Sequence, residues 1–200
     1  MPALRNALLM PQIRSLRPNV TRQEALEQFT TRGPLGFARS LAYGPLRSIA
    51  DFYIPFRVFE VEITNSGKTD PRLVAIESVI GMLDLYQFGH LPQGREIMEI
   101  NTRNCLEPRL EDEPAKKLLI EKLRRVLFSK GFFKLRNLEI SAKPLPGYLH
   151  VPYWIAFRGR GERARITALD AMRRTLEGAK VPRLLEQWLA SGNPISEDAS

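Results

Sequence analysis

The stretch that most constrains the fold runs from Gly147 to Leu169 and reads GYLHVPYWIAFRGRGERARITAL. Aromatic and β-branched residues fill its first part, glycines and arginines its middle, and a second apolar run its end. That order is typical of a β-strand, a tight turn and a returning strand. A weaker copy of the start occurs at residues 53–59, YIPFRVF, which match residues 150–156, HVPYWIA, in pattern. The chain is therefore predicted to contain an internal duplication.

The composition limits the classes to which the protein can belong. Two hundred residues suit one ordinary domain or two small ones, and 44% hydrophobic residues can build a core. A net charge of +8 favours anionic partners, although such a charge also serves solubility. The single cysteine, Cys105, excludes an internal disulfide framework and fits a reducing compartment. No stretch approaches the roughly 20 apolar residues that span a bilayer, so we expect a soluble, cytoplasmic protein.

The first part of the chain predicts a helix followed by a hairpin. Thr21 and Glu24 have capping-box spacing, which predicts a helix from about 22 to 31. An interrupted apolar pattern then predicts a kinked helical segment up to Asp51. Alternation over residues 52–63 predicts a strand, and the turn residues at 65–68 lead into a second strand at 72–79.

The second part repeats this order. Residues 84–113 are irregular, with one predicted strand at 95–101. Pro114 opens a helix with a clear apolar stripe, extending to about residue 130. Strands are predicted at 135–142 and 148–158, the latter forming a hairpin with 163–169, and a last helix contains Pro182 near its first turn.

The repeated order resembles tandem PepSY-like domains, which are small modules of one helix and an antiparallel hairpin. Thr21, Glu24 and Ala25 match the helix start of that pattern, residues 58–63 match its strand, and Asp170-Ala171 match the Asp-Ala pair after the returning strand. The first half has Glu77-Ser78 at this last place. The resemblance implies a binding or regulatory module without catalytic residues to carry over.

The predicted fold is therefore α+β, with two similar halves, each an antiparallel hairpin-based sheet covered by a helix. The predicted boundaries are an N-terminal arm at 1–20, a first half at 21–88, a connection at 89–110, a second half at 111–191 and a polar tail at 192–200.

Two groups of basic residues are candidates for contact with phosphate or a partner. The first is Arg158, Arg160, Arg163 and Arg165 on the predicted hairpin, and the second is Lys116, Lys117 and Arg124 on the helix at 114–130. A basic hairpin tip can clamp phosphates. The alternative is that these charges only solvate the hairpin and the helix.

A second set of residues could line a pocket between the halves: His150, Tyr153, Trp154 and Cys105. Their alternative role is to fill the core, because buried cysteines and aromatic residues usually do so. The sequence contains no catalytic, phosphate-binding or metal-binding motif, so we predict no catalytic residue, no metal and no cofactor.

These observations favour a non-enzymatic binding or assembly module for a protein partner. Two alternatives stay open: a nucleic-acid-binding protein that uses residues 158–165 and the helix at 114–130, and a small-ligand-binding protein or enzyme with a pocket between the halves. The sequence leaves open whether the protein forms a homo-oligomer.

Overall fold

The computed structural model describes residues 10–30, 44–131, 137–159 and 165–190 of the chain. These residues form nine strands, three α-helices and a 3-10 turn at Gly94–Glu96. The strands are β1 (Gln12–Leu16), β2 (Leu46–Asn65), β3 (Lys68–Glu77), β4 (Tyr86–Phe88), β5 (Ile97–Asn101), β6 (Glu139–Pro144), β7 (Leu149–Arg158), β8 (Arg165–Asp170) and β9 (Thr175–Leu176). The helices are α1 (Arg22–Phe29), α2 (Asp112–Gly131) and α3 (Lys180–Ala190). The predicted α+β class is confirmed.

The hairpin of β2 and β3 was predicted from its turn chemistry, and the structure confirms it. Asn65 lies opposite Lys68, and the residues between them, Ser66 and Gly67, have φ angles of 53° and 76°. Positive φ at both central positions gives a turn whose twist matches that of the strands, and glycine adopts it without a steric cost.

Residues 46–51 belong to β2, so the helical segment predicted up to Asp51 is wrong over these residues. Ile49 and Ala50 are buried, and so is every residue from 52 to 56. A strand that is covered on both faces loses the alternation of apolar and polar residues by which strands are recognised. The earlier part of the predicted segment lies outside the described residues.

The N-terminal arm contributes a strand that the sequence did not predict. β1 pairs antiparallel with β5, with Gln12 opposite Asn101 and Leu16 opposite Ile97. The side chains of Ile13 and Leu16 are buried. This part of the arm is held by a ladder of backbone hydrogen bonds and by apolar burial.

The nine strands form one sheet. Its main path is β4-β3-β2-β7-β1-β5, with β6 beside β2 and with β8 between β7 and β9. The pairs β1–β5, β2–β3, β2–β6, β3–β4, β7–β8 and β8–β9 are antiparallel.

The chain divides into two compact units that interleave along the sequence. Unit 1 draws on residues 1–53, 97–105 and 151–200, and unit 2 on residues 54–96 and 106–150. The sequence predicted contiguous halves, 21–88 and 111–191, and the compact units cut across both. The reason lies in β2 and β7, because each strand begins in one unit and ends in the other.

The core of unit 2 lies between α2 and three strands. Its fully or nearly fully buried residues are Phe59, Val61 and Ile63 of β2, Val74 and Ile76 of β3, Ala142 of β6, and Ala115, Leu119 and Leu123 of α2. The α2 residues recur every fourth position and so form one stripe along the helix. The helix that covers the first-half hairpin therefore comes from the second half of the sequence.

The core of unit 1 combines a helix from the first half of the sequence with a hairpin from the second half. Its buried residues are Val20, Ala25 and Phe29 in and just before α1, Ile49 of β2, Trp154 and Ala156 of β7, and Leu169 and Ala171 at the end of β8. The indole N–H of Trp154 donates to the carbonyl oxygen of Val20 at 2.9 Å. The prediction that each hairpin is covered by the helix of its own half is thus corrected for β2–β3, which packs against α2 of the other half. The hairpin β7–β8 packs against α1 of the other half and, along β8, also contacts α3 of its own half.

Leu119 provides a test of the unit 2 core. It is 0% exposed, and Leu119→Ala would leave a cavity between α2 and the hairpin without lowering helix propensity. We expect the free energy of unfolding to fall by about 2–4 kcal/mol in urea titrations. Leu91→Ala is the matched control, because Leu91 is 43% exposed and should change stability by less than about 0.5 kcal/mol. Equal losses from both variants would contradict the proposed core.

Candidate binding cleft

Unit 1 contains a cleft of about 430 Å³ beside β8 and the start of α3. β8 contributes Arg165, Ile166 and Thr167, and the ends of α1 and β7 contribute Phe29 and Arg158. The remaining lining residues come from the end of β9, the segment after it and the first turns of α3: Leu176, Glu177, Gly178, Ala179, Pro182, Arg183 and Glu186. The volume falls in the range typical of ligand sites.

Exposed arginines and the start of a helix meet at the cleft. Its lining contains Arg158, Arg165 and Arg183 with Glu177 and Glu186, and because Arg158 is buried, Arg165 and Arg183 are its exposed arginines. Helix α3 begins at the same place, and its first turn contains no acidic residue. The positive end of the helix dipole is therefore not neutralised by an acidic side chain of that turn, and it adds to the field of the arginines.

The apolar part of the lining favours a ligand that also has an apolar group. Phe29, Ile166, Leu176 and Pro182 lie among the arginines. Leu176 is 37% exposed, so an apolar surface is in contact with water at the rim of the cleft. Covering such a surface is favourable by roughly 25 cal/mol per Å².

Arg158 has a structural role that the sequence did not predict. It is buried, at 6% exposure, and its guanidinium donates to the carbonyl oxygens of Phe29 and of Gly44, the latter at 3.3 Å. Phe29 is the last residue of α1, where carbonyls lack helical partners and where a positive charge is favourable. The sequence predicted that Arg158 contacts phosphate or a partner. In the structure its buried guanidinium instead binds the carbonyl oxygen at the end of α1.

The other predicted hairpin arginines differ in position. Arg165 lies directly opposite Arg158 in the β7–β8 ladder and is exposed in the lining of the cleft. Arg160 and Arg163 lie outside the described residues. The structure thus brings together Arg158 and Arg165, and it adds Arg183 from α3, which the sequence did not suggest.

The basic residues predicted on the helix lie on α2 in unit 2. Lys116 is 3.8 Å from Glu113 one turn away, an exposed ion pair that contributes little to stability. Lys117 and Arg124 are exposed. None of the three belongs to the lining of the unit 1 cleft.

The four predicted pocket residues are all buried. Trp154 belongs to the α1 core cluster, whereas Cys105 packs with Ile13 and Tyr53 in a smaller cluster of unit 1. The Cys105 thiol donates to the carbonyl oxygen of Thr102 at 3.6 Å. A buried thiol in apolar surroundings resembles a structural cysteine, because reactive cysteines are partly exposed and electropositive in their surroundings.

The other two predicted pocket residues are also enclosed. Tyr153 is 2% exposed and lies opposite Asp170 in the β7–β8 ladder. His150 is 7% exposed and belongs to unit 2, whereas Tyr153, Trp154 and Cys105 belong to unit 1.

A buried hydrogen-bond network in unit 1 was missed by sequence reasoning. The Tyr53 hydroxyl donates to Asp51 at 2.8 Å, and the Asn104 amide approaches the other oxygen of this carboxylate at 3.5 Å. Burial, the charge of Asp51 and this hydrogen bond raise the pKa of Tyr53 well above its usual range. The phenol therefore stays protonated at neutral pH and acts as a donor to Asp51. Residues 51–53 match no motif, so no sequence signal could have identified the network.

The last residue of the returning strand in each hairpin has a buried carboxylate. Glu77 of β3 is fully buried in unit 2. One of its oxygens accepts the N–H groups of Val79 and Ile80, the latter at 2.8 Å, and the other accepts that of Met82 at 2.9 Å. This carboxylate thereby holds the turn that follows β3.

Asp170 of β8 occupies the corresponding place in unit 1 and is also fully buried. Its Oδ1 accepts the N–H groups of Met172 and Arg173, both at 2.8 Å. The Asp-Ala pair of the PepSY-like pattern pointed to this position, but only the structure shows that the carboxylate holds a turn.

Unit 2 contains a second cleft of about 510 Å³ on the hairpin β2–β3 and the adjoining β4. Glu60, Glu62, Arg72 and Phe88 are among its lining residues. The two glutamates are exposed, and no helix contributes to the lining. This cleft lacks the converging cations of the unit 1 cleft, which is therefore the stronger candidate site.

Comparison with protein-family models, with curated proteins and with solved structures gave no match. Among the described residues, no group of three or more histidine, cysteine or acidic side chains is placed to hold a metal ion. Within the same ranges, no helix is long and apolar enough to cross a membrane.

Arg158 and Arg165 allow a matched test of their different roles. Arg158→Met would remove the donors to the buried carbonyl of Phe29 and the partly buried carbonyl of Gly44, so we expect a loss of about 2–3 kcal/mol in the free energy of unfolding. Arg165→Met changes the same charge at the facing, exposed position and should cost less than about 0.5 kcal/mol. Chemical denaturation monitored by tryptophan fluorescence measures both, and similar losses would refute the capping role.

Proposed function

We propose that the protein is a non-enzymatic binding module for a partner protein, and that the unit 1 cleft binds a segment in which an acidic group lies beside an apolar side chain. The observation that carries this proposal is the convergence of Arg165, Arg183 and the start of α3 on an apolar lining. Arginine suits this task because its planar guanidinium binds carboxylates in a bidentate manner.

The size of the cleft supports a peptide segment as the ligand. A volume of about 430 Å³ accommodates one or two side chains, whereas a nucleic-acid duplex needs a long basic surface. Apolar residues between the arginines favour a carboxylate attached to an apolar body. A phosphodiester backbone would not use that apolar surface.

The assignment of a non-enzymatic role is supported by how the buried polar groups are used. Trp154, Cys105 and Tyr53 each direct their polar atom to a group of the fold itself. Trp154 and Cys105 are two of the four candidate pocket residues, and Tyr53 packs beside Cys105 in one buried cluster. Their engagement favours binding over catalysis in this region.

We also propose that the two halves derive from a duplicated PepSY-like unit. The buried carboxylates Glu77 and Asp170 support this, because each ends the returning strand of a hairpin and accepts amides of the turn that follows. A shared structural function at matching positions is what a duplication would leave behind, even where Glu replaces Asp.

The proposed ligand class can be tested by selecting displayed random peptides on the full-length protein. We expect the enriched peptides to carry Asp or Glu within two residues of an aromatic or aliphatic side chain. The double variant Arg165→Gln/Arg183→Gln should weaken their binding about tenfold or more, since two charge-assisted contacts are lost. Fluorescence anisotropy with a labelled peptide measures this change.

The control is Lys117→Gln/Arg124→Gln, which removes the same charge from α2 in the other unit. Peptide binding that falls equally in both double variants would show that net charge, and not the cleft, attracts the ligand. A labelled single-stranded oligonucleotide tests the alternative function. Tight binding that falls steeply with salt, and that the α2 variant weakens as much as the cleft variant, would favour nucleic acid over a protein partner.

A further inference from the structure

The end of the hairpin in unit 2 docks the start of α2. The carbonyl of Pro55 accepts the N–H of Ser78 at 2.8 Å, which closes the hairpin beyond its last ladder pair. The carbonyl of Ser78 in turn accepts the N–H groups of Arg109 and Leu110, at 2.7 and 2.8 Å. These two residues lie three and two positions before the first residue of α2, so the segment before this helix is fixed to the end of β3.

The end of the hairpin in unit 1 docks α1 in the same way. The carbonyl of Pro152 accepts the N–H of Ala171 at 3.1 Å, and the carbonyl of Ala171 accepts the N–H of Asn19 at 2.8 Å. Asn19 precedes α1 by three residues. An ion pair between Arg174 and Glu24 of α1, at 2.5 Å, adds to this junction.

The two helices also place matching residues in their cores. Ala25 and Ala115 are each fully buried, and each donates its N–H to the carbonyl four residues earlier at the start of its helix. Four residues further on, Phe29 and Leu119 fill the corresponding core positions. The same construction is therefore used twice, at the level of backbone bonds and at the level of core side chains.

We infer that the two halves complement each other reciprocally, and that a second copy of this chain can supply the complementing segment. In unit 2 the hairpin β2–β3 from the first half is completed by α2 and β6 from the second. In unit 1 the hairpin β7–β8 from the second half is completed by α1 and the first residues of β2. Each hairpin thus packs against a helix of the other half, although β8 also contacts α3 of its own half.

A second copy fits because it carries the same helix and strand and would make the same contacts. Exchange of identical elements between copies needs no new surface and costs little. Within one chain the linkage provides an effective concentration on the order of millimolar, so a dilute chain completes itself. When chains fold together at comparable concentration, reciprocal exchange between two copies yields a dimer.

Paired cysteines test this inference. Glu62 of β2 and Ser141 of β6 are exposed and directly opposite in the ladder, and Glu60 and Lys143 form a second such pair. Facing residues in antiparallel strands are close enough for a disulfide. We would introduce each pair as cysteines in full-length Cys105→Ser, refold at about 1 μM and at about 1 mM, oxidise, and analyse on non-reducing gels.

Refolding at about 1 μM should give disulfide-bonded monomers, and refolding at about 1 mM should raise the disulfide-linked dimer fraction about tenfold. The control pair is Thr64→Cys/Thr69→Cys, whose hydroxyl oxygens are 3.0 Å apart across the β2–β3 hairpin. This disulfide stays within one chain even in an exchanged dimer, so it should give monomers at both concentrations.

Three outcomes would overturn the inference. Failure of both β2–β6 pairs to cross-link, while the hairpin pair does so, would show that the second half does not complete the first-half hairpin. Monomeric cross-links at both concentrations would exclude a second copy as the donor. Dimers from the hairpin pair in equal yield would show that the dimers arise from random oxidation.

Discussion

The strand Leu46–Asn65 is the constraint on which the other elements depend. Its 20 residues are extended, and their buried backbone groups need hydrogen-bond partners along the whole length. β3 and β6 provide hydrogen-bond partners for the second part of β2, and β7 is another neighbour of β2 in the sheet. Because β6 and β7 follow α2 in the sequence while α1 precedes β2, the long strand requires both halves of the chain to fold together.

Buried charges near this strand serve the fold. Arg158, Glu77 and Asp170 are almost completely enclosed, and each is bound to backbone groups that the ends of helices and strands leave unpaired. A charge in the interior is tolerated only when it is paired or hydrogen-bonded in this way. Arg165 and Arg183, by contrast, are exposed and line the cleft beside β8.

The proposed cleft and the inferred exchange are connected through Phe29. This residue ends α1, its carbonyl binds Arg158, and its side chain lines the cleft with residues of β8 and α3. The binding surface is thus assembled from both halves of the sequence. A helix supplied by a second copy would restore the same lining, so exchange would preserve the site while it changes the number of chains.

Local chemistry was determined by the sequence alone. The capping box at Thr21 and Glu24, the turn at Ser66 and Gly67 and the apolar stripe of α2 predicted their elements because the interactions involved lie within a few residues of one another. The candidate site was predicted only in part: Arg165 was identified, but Arg183 was not, and Arg158 was assigned to the wrong environment.

Only the tertiary structure decided which helix covers which hairpin. Nothing in the order of a helix, a strand and a hairpin states whether the helix packs on its own hairpin or on the other, since both hairpins present similar apolar faces. The burial of Arg158 has the same origin, because its partners, Phe29 and Gly44, are more than a hundred residues away in the sequence. Contacts of this range depend on the path of the chain, which local patterns do not encode.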